Sequence, residues 1–142
     1  MRAPLARCFD LARSVSAHLT STEQTSERVV GNVGSDLLGP GDVVTWEATH
    51  LGVRQRLTSK ITEFDPPRSF EDEQIAGPFK SFWHRHEFTT EGDSTFMTDL
   101  VRYRAPLGLL GAFVERVYLD RYLRAFLTRR ATSLRALAET ER

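Results

Sequence analysis

The chain has 142 residues, of which 40% are apolar and 27% charged, and its 19 basic residues balance its 19 acidic ones. This length suits one core, so we expect a single domain over residues 1–142. The neutral balance excludes the overall basic character of a dedicated nucleic-acid-binding protein, and the apolar content excludes a disordered chain. No membrane span is predicted. The only cysteine, Cys8, favours a reducing compartment, and we expect a cytoplasmic protein.

The first predicted element is an amphipathic helix over residues 5–19. Its apolar residues recur at steps of three and four, which places them on one helical face. They are Leu5, Cys8, Phe9, Ala12, Val15 and Leu19. Pro4 fits the first turn of such a helix. The polar stretch over residues 20–26 predicts a connection.

Five segments with alternating apolar and polar residues follow, and we interpret them as strands. They cover residues 42–50, 53–64, 69–76, 79–89 and 95–104. The connections are short and rich in turn-forming residues: His50-Leu51-Gly52, Asp65-Pro66-Pro67-Arg68, Gly77-Pro78 and Glu91-Gly92-Asp93. Strands joined so closely pair antiparallel, because a parallel pair needs a long crossover. In the second segment, the side that carries Arg54, Arg56 and Lys60 should face water.

After Ala105-Pro106-Leu107-Gly108 the helical period resumes and predicts one long helix to about residue 138. At the usual rise per residue this helix would be roughly 40 Å long, enough to cross the whole sheet. Six of its arginines predict a solvated face: Arg116, Arg121, Arg124, Arg129, Arg130 and Arg135. A basic helix face can also bind acidic lipid or phosphate, and that alternative stays open here.

The order of these elements and several short motifs resemble a known superfamily. The motifs are Ala3-Pro4, Phe9-Asp10-Leu11-Ala12, Gly41-Asp42-Val43-Val44-Thr45-Trp46, Gly77-Pro78-Phe79-Lys80-Ser81-Phe82-Trp83-His84-Arg85-His86-Glu87-Phe88, Met97-Thr98-Asp99 and Ala105-Pro106-Leu107-Gly108. They are similar to those of the START-like or helix-grip superfamily, also called SRPBCC, and the chain looks like a bacterial member of the polyketide cyclase/dehydrase type. The resemblance implies an α+β fold in which a curved antiparallel sheet wraps around the long C-terminal helix. It also implies a cavity for a small apolar molecule.

One departure from the superfamily concerns the first strand, which is missing here. Members normally have a strand before the Ala-Pro helix start, whereas only Met1 and Arg2 precede Ala3. By resemblance that strand would pair with segment 95–104, whose edge would otherwise be open. Three explanations fit: a start upstream, a second chain that covers the edge, or a two-residue stub that suffices. Because open edges invite pairing, we expect a homodimer through this strand or an exchange of the first helix between subunits.

Most candidate ligand-binding residues come from the last two strands. In segment 79–89 we expect Phe82, His84, His86 and Phe88 to face the cavity, since the other side carries charges, although Trp83 favours the opposite choice. On the neighbouring strand the matching side has Met97, Asp99, Val101 and Tyr103. The remaining candidates lie on other elements: Trp46, Leu57, Glu73, Tyr118 and Tyr122.

His84, His86 and Asp99 allow several chemistries. They could hold a divalent ion, supply an acid, a base and an orienting group for enolisation or dehydration, or join elements by hydrogen bonds. The sequence shows no nucleophile with a base and an orienting group, so our leading hypothesis is non-catalytic binding or carriage of a lipid-like or polyketide-like molecule, with no cofactor and no metal. The alternatives are a cyclase or dehydratase that uses these three residues, and a protein-interaction module that uses the open strand edge.

Overall fold

The strands form one antiparallel sheet that curves around the C-terminal helix. The computed structural model describes residues 1–31, 34–50 and 52–140, and its six strands follow sequence order across the sheet. The strands are β1 (Arg28–Val30), β2 (Val43–His50), β3 (Val53–Asp65), β4 (Ser69–Ala76), β5 (Ser81–Glu91) and β6 (Ser94–Arg104). The helices are α1 (Leu5–Ala12), α2 (Val15–Ser21), α3 (Gly108–Val114) and α4 (Asp120–Thr140), with a 3-10 turn at Glu23–Thr25 and a π-helical turn at Glu115–Leu119. The predicted α+β helix-grip fold is confirmed.

The helix predicted over residues 5–19 is in fact two helices, α1 and α2, with a break at Ser14. Ser14 has an extended backbone, with φ −79° and ψ 128°, and its Oγ accepts a hydrogen bond from the N–H of Ala17 at 3.1 Å. This contact caps the N-terminus of α2, a position that serine favours. The N–H of Val15 donates to the carbonyl of Asp36 at 2.8 Å. Apolar spacing continues across the break, which is why periodicity alone predicted one helix.

The five predicted strands are present with antiparallel pairing, each within two residues of its predicted limits. Leu51, in the first predicted connection, lies outside the described residues. The last hairpin is tighter than predicted, because Glu91 pairs with Ser94 and only Gly92 and Asp93 form the loop. Gly92 has φ +60°, and a positive φ at the first of two loop residues is the pattern of a type II′ turn. Glycine adopts this conformation without the strain that a Cβ would cause.

Each edge of the sheet pairs with a short segment that was not predicted as a strand. At one edge the three-residue strand β1 pairs with β2, with Val29 opposite Trp46. At the other edge the terminal ammonium of Met1 donates to the carbonyl of Thr95, and the N–H of Thr95 donates to the carbonyl of Met1, both at 2.8 Å. Among the described residues, a short stub thus pairs with the start of β6 and no strand precedes α1. A homodimer through β6 stays a prediction.

The main hydrophobic core lies between α1 and one end of the concave face of the sheet. Phe9 is only 1% exposed, and its ring makes edge-on contacts with Phe64, Phe70 and Phe88, each at 5.5 Å between centroids. Ala138, near the end of α4, is buried in the same cluster. Contacts with α1 and α2 hold α4 in place over the sheet. The main core therefore lies at this end of the concave face.

The predicted C-terminal helix is helical throughout but is not one continuous α-helix. The five-residue turn Glu115–Leu119 is π-helical and separates α3 from α4. Turns of this kind are local insertions and are frequent at functional sites. α3 exposes apolar side chains, among them Leu110 and Phe113. None of the described helices combines the length and the apolar composition needed to cross a membrane.

Phe9→Ala should lower the free energy of unfolding by about 3–5 kcal/mol, because the buried ring would leave a cavity among three other rings. Phe96→Ala is the matched control, since Phe96 is 49% exposed on β6 and its loss should cost less than about 1 kcal/mol. Urea denaturation measures both values. Equal destabilisation by the two changes would contradict this location of the core.

Candidate functional site

A cavity of ≈290 Å³ lies between the concave face of the sheet and α4. Strand alternation directs Val44, Trp46 and Ala48 of β2 into it, next to Leu57 and Ile61 of β3. The opposite wall consists of side chains from the C-terminal helix at steps of about three and four: Leu119, Tyr122, Leu123, Phe126 and Leu127. Most of the wall is therefore apolar, with polar groups at a few positions.

His84 and His86 of β5 lie in the wall between two carboxylates. His84 Nε2 is 2.9 Å from Asp99 Oδ1 on β6, and His86 Nε2 is 3.2 Å from Asp72 Oδ2 on β4. The sheet register brings them together, since Asp72 lies opposite His84 and Asp99 opposite His86. The two hydrogen bonds thus run diagonally between strands. The imidazole centroids are 3.9 Å apart, and both rings are buried.

His86 faces a carboxylate at each ring nitrogen. Its Nδ1 lies 3.1 Å from Asp99 Oδ1, but in a direction that does not suit a hydrogen bond, so this contact is electrostatic. Burial lowers the pKa of His86, but the hydrogen bond to Asp72 and the charges of both carboxylates outweigh burial and raise the pKa above its ordinary value of 6.5. Of the two histidines, His86 is therefore the one whose surroundings raise the pKa.

The pKa of His84 is shifted in the opposite direction, below its ordinary value. Burial lowers the pKa of His84, the charge of His86 lowers it further, and the carboxylates offset this only in part. Burial opposes ionisation of Asp99, but its contacts with both histidines prevail and hold the pKa of its carboxyl well below the usual range. Neutral His84 donates its Nε2–H to Asp99, which leaves Nδ1 as the acceptor nitrogen.

Two further histidines line the cavity. His18 of α2 is 2.9 Å from Glu27 through Nε2, and its ring lies 4.0 Å from that of Trp46. His50, at the end of β2, is 2.5 Å from the hydroxyl of Tyr122 through Nδ1, a contact that joins the sheet to α4. Burial lowers the pKa of both imidazoles, which favours their neutral forms.

Arg130 differs from the other arginines of the C-terminal helix, because it is 4% exposed and lines the cavity. The expectation that it shares the solvated face with Arg129 is therefore wrong. Its place follows from helical spacing, since it lies four residues after Phe126 and three after Leu127, which also line the cavity. The position of Arg130 within the apolar stripe of the helix therefore indicated, from the sequence, that it faces the cavity.

The structure distributes the predicted ligand-binding residues over several places. The cavity wall contains Trp46, Leu57, Phe82, His84, His86 and Tyr122. Phe88 and Met97 belong to the core around Phe9, and Asp99 holds the two histidines. Val101 and Tyr103 line a separate, more open depression near α3. Tyr118 is 53% exposed and lines neither space.

Glu73 lies on the outer face of the sheet, and the carboxylate that faces the cavity is Asp72. The expected placement of Glu73 is therefore corrected by one residue. Phe70 precedes Asp72 by two positions, so strand alternation places both on the concave face. Trp83 also faces outward, where its indole N–H donates to Glu71 at 3.0 Å.

Asp72, His84 and His86 each offer a possible metal ligand, and the three ligand atoms lie within 4.8 Å of one another. Asp72 takes the place that Asp99 has in the grouping predicted from the sequence. A divalent ion would compete with a proton for the nitrogen of His86, in a wall that contains the carboxylate of Asp72 as well as Arg130.

The rings of His86 and His84 should titrate on opposite sides of 6.5. His86 should keep its proton above this pH because carboxylates stabilise its charged form, and His84 should lose its proton below it. Ring nitrogen and carbon chemical shifts, followed by NMR across pH, measure both. Asp99→Asn should lower the pKa of His86, whereas Asp93→Asn in the hairpin loop should not. A pKa of His84 above that of His86 would contradict the assignment.

Solved structures from several organisms share this fold. Protein TTHA0849 of Thermus thermophilus gives a TM-score of 0.74 at 17% identity, over 98% of this chain and 94% of that one. Protein Ms6760 of Mycobacterium smegmatis gives 0.69 at 21% identity, over 96% and 85%. Major latex-like protein 151 of Panax ginseng gives 0.66 at 16% identity, over 96% and 91%. At these identities the likeness establishes the fold and not the activity.

A family model described as "Polyketide cyclase / dehydrase and lipid transport" matches residues 6–139. The matched stretch includes the whole sheet, nearly all of α4 and every residue named in the cavity wall. A comparison with curated proteins found no similar sequence. The resemblance to the START-like superfamily is confirmed, and the chain belongs to the polyketide cyclase/dehydrase and lipid transport family.

Proposed function

We propose that this protein binds a small apolar molecule, lipid-like or polyketide-like, in the cavity between the sheet and α4. The observation that carries the proposal is a space of ≈290 Å³ bounded mostly by apolar side chains, Trp46, Leu57 and Phe126 among them. Protein interiors are close-packed and contain few voids larger than a water molecule, so a space of this size suits a ligand. The description of the family, which names polyketides and lipid transport, supports the same function.

The volume of the cavity limits the size of the ligand. An apolar cavity of about 150 Å³ accepts a benzene molecule. The ≈290 Å³ found here is about twice that volume. The cavity therefore suits a molecule of about two aromatic rings or a hydrocarbon chain of similar volume.

The contacts of His86 favour binding over catalysis. Its Nε2 donates to Asp72 and its Nδ1 faces Asp99, so neither nitrogen is directed at the space that a ligand would fill. A general acid has to come within hydrogen-bond distance of the group that it protonates. The histidine pair thus serves better as a polar part of the wall than as a proton donor.

Ala48→Phe should weaken binding of a neutral apolar probe of two rings, such as the naphthalene dye prodan, by at least about 10-fold, because Ala48 is buried in the wall and a phenyl ring would occupy part of the cavity. Ala76→Phe adds the same ring to an exposed position of β4 and should bind the probe as the unmodified protein does. Probe fluorescence measures the dissociation constants, and circular dichroism verifies folding.

Equal binding by the two variants would mean that the probe does not occupy this cavity. Native mass spectrometry with a panel of lipids and aromatic polyketides extends the test to other ligands. If the unmodified protein retained neither the probe nor any member of the panel, the proposed binding function would be abandoned.

Acid–base catalysis on a polyketide-like substrate is a second candidate function. The observation that favours it is neutral His84, whose Nε2–H is bound to Asp99 and whose Nδ1 is an acceptor, next to His86, whose pKa is raised. Adjacent groups whose environments drive their pKa values apart are typical of acid–base sites. In a dehydration, Nδ1 of His84 would take a proton from the carbon next to a carbonyl and return it to the hydroxyl group on the following carbon, which would leave as water as the double bond forms.

His84→Gln should lower the rate of water loss from a naphthyl β-hydroxy ketone by about 100-fold or more, because it removes the base. Its dissociation constant for the enone product should change little, since glutamine keeps a polar side chain of similar reach. Absorbance of the enone measures turnover, and calorimetry measures binding. A full rate in His84→Gln, or a rate in the unmodified protein no higher than in buffer, would exclude this role.

A further inference from the structure

Arg130 is a buried cation with incomplete hydrogen bonding. The side chain is 4% exposed and reaches the cavity from α4. One terminal nitrogen donates to the backbone carbonyl of Ala12 at 3.2 Å, whereas the buried Nε has no acceptor. Within the part of the chain that the structure describes, no carboxylate forms a salt bridge with this guanidinium.

The acidic side chains nearby are bound to other groups. Asp72 holds His86, and Glu27 holds His18. The charge of Arg130 acts on both Asp72 and His18, so the guanidinium lies near both pairs without joining either. The wall thus contains two acid–histidine pairs and, among the described residues, one guanidinium that contacts no carboxylate.

An unpartnered charge inside a protein is costly, and arginine does not give up its proton when buried. The carbonyl of Ala12 compensates in part, because Ala12 is the last residue of α1 and the carbonyl end of a helix is partially negative. This contact leaves Nε unsatisfied. What Nε still lacks is an oxygen acceptor within hydrogen-bond distance.

We infer that the molecule held in the cavity carries a carboxylate, and that Arg130 binds it. This inference rests on the binding function proposed above and narrows the ligand to apolar acids. A carboxylate accepts two parallel hydrogen bonds from the planar edge of a guanidinium, and one of them would give Nε the acceptor that it lacks. The apolar body of the acid would lie among Trp46, Leu57 and Phe126, with its head group toward Ala12.

Two matched pairs of compounds test the inference. 2-Naphthoate and 2-naphthamide have nearly the same shape and differ in charge, and octanoate and octanamide extend the comparison to chains. Calorimetry on the full chain should give at least about 10-fold tighter binding of one carboxylate than of its amide. Arg130→Met should remove this preference while amide binding stays within about threefold. Arg129→Met changes an exposed neighbour and should keep the preference.

The outcomes separate the inference from the proposed function. If the unmodified protein bound acid and amide equally, or if Arg130→Met kept the preference for the acid, the inference would be wrong while the binding function stood. If the unmodified protein bound none of these compounds nor the neutral probe, both would be wrong. Should Arg130→Met fail to fold, Arg130→Gln replaces it, since its amide can still donate to the carbonyl of Ala12, and the same two results apply.

Discussion

The contact between Phe9 and three phenylalanines of the sheet determines which end of the concave face is filled by the core and which end borders the cavity. The ring from α1 fills one end of the concave face, and Ala138 of α4 closes over it. α4 is held there by α1 and α2, and it extends from there across the sheet. Near the N-terminal half of α4 the space between helix and strands stays open. The cavity is thus a consequence of a core placed at one end.

The surroundings of this space carry more ionisable groups than an apolar site requires. Three acids in or behind the wall each have an imidazole partner: Asp99 with His84, Asp72 with His86, and Glu27 with His18. The sheet register provides the first two partners, because Asp72 and Asp99 lie directly opposite residues of the His-x-His segment. Arg130 falls outside this scheme. Its incomplete hydrogen bonding distinguishes the site from a plain hydrophobic pocket. The same feature is the basis for inferring an acidic ligand.

The sequence predicted the parts of the structure that depend on local periodicity. Five strands alternate clearly, and their short connections leave antiparallel pairing as the only option, so the sheet was predictable. Single capping contacts were not, since the break at Ser14 interrupts no apolar spacing. β1 has only three residues and owes its existence to pairing with β2.

The candidate site was predicted in part for the same reason. His84 and His86 follow the alternation of β5 and lie in the cavity wall. In β4, Phe70 faces the cavity, so strand alternation places Asp72 on the same face and Glu73 on the other. The side of the sheet on which each residue lies was therefore predictable. Arg130 was assigned by residue type to the solvated face, although its spacing from Phe126 placed it on the apolar stripe. The pairing of carboxylates with imidazoles depends on the directions of side chains on three neighbouring strands. These directions cannot be predicted from the spacing of residues along the sequence.

The wall contributed by α4 also affects how firmly this helix is held. Leu123, Phe126 and Leu127 come from one element and face an open space, so in the empty protein they lack the packing that a core side chain would have. A molecule that touches both walls becomes part of the core, and its binding free energy adds to that of docking the helix. Backbone amides in the middle of α4 would then exchange with deuterium more slowly in the loaded protein. Amides of α1, already held by Phe9, would change little, so exchange along one helix would report whether the cavity is occupied.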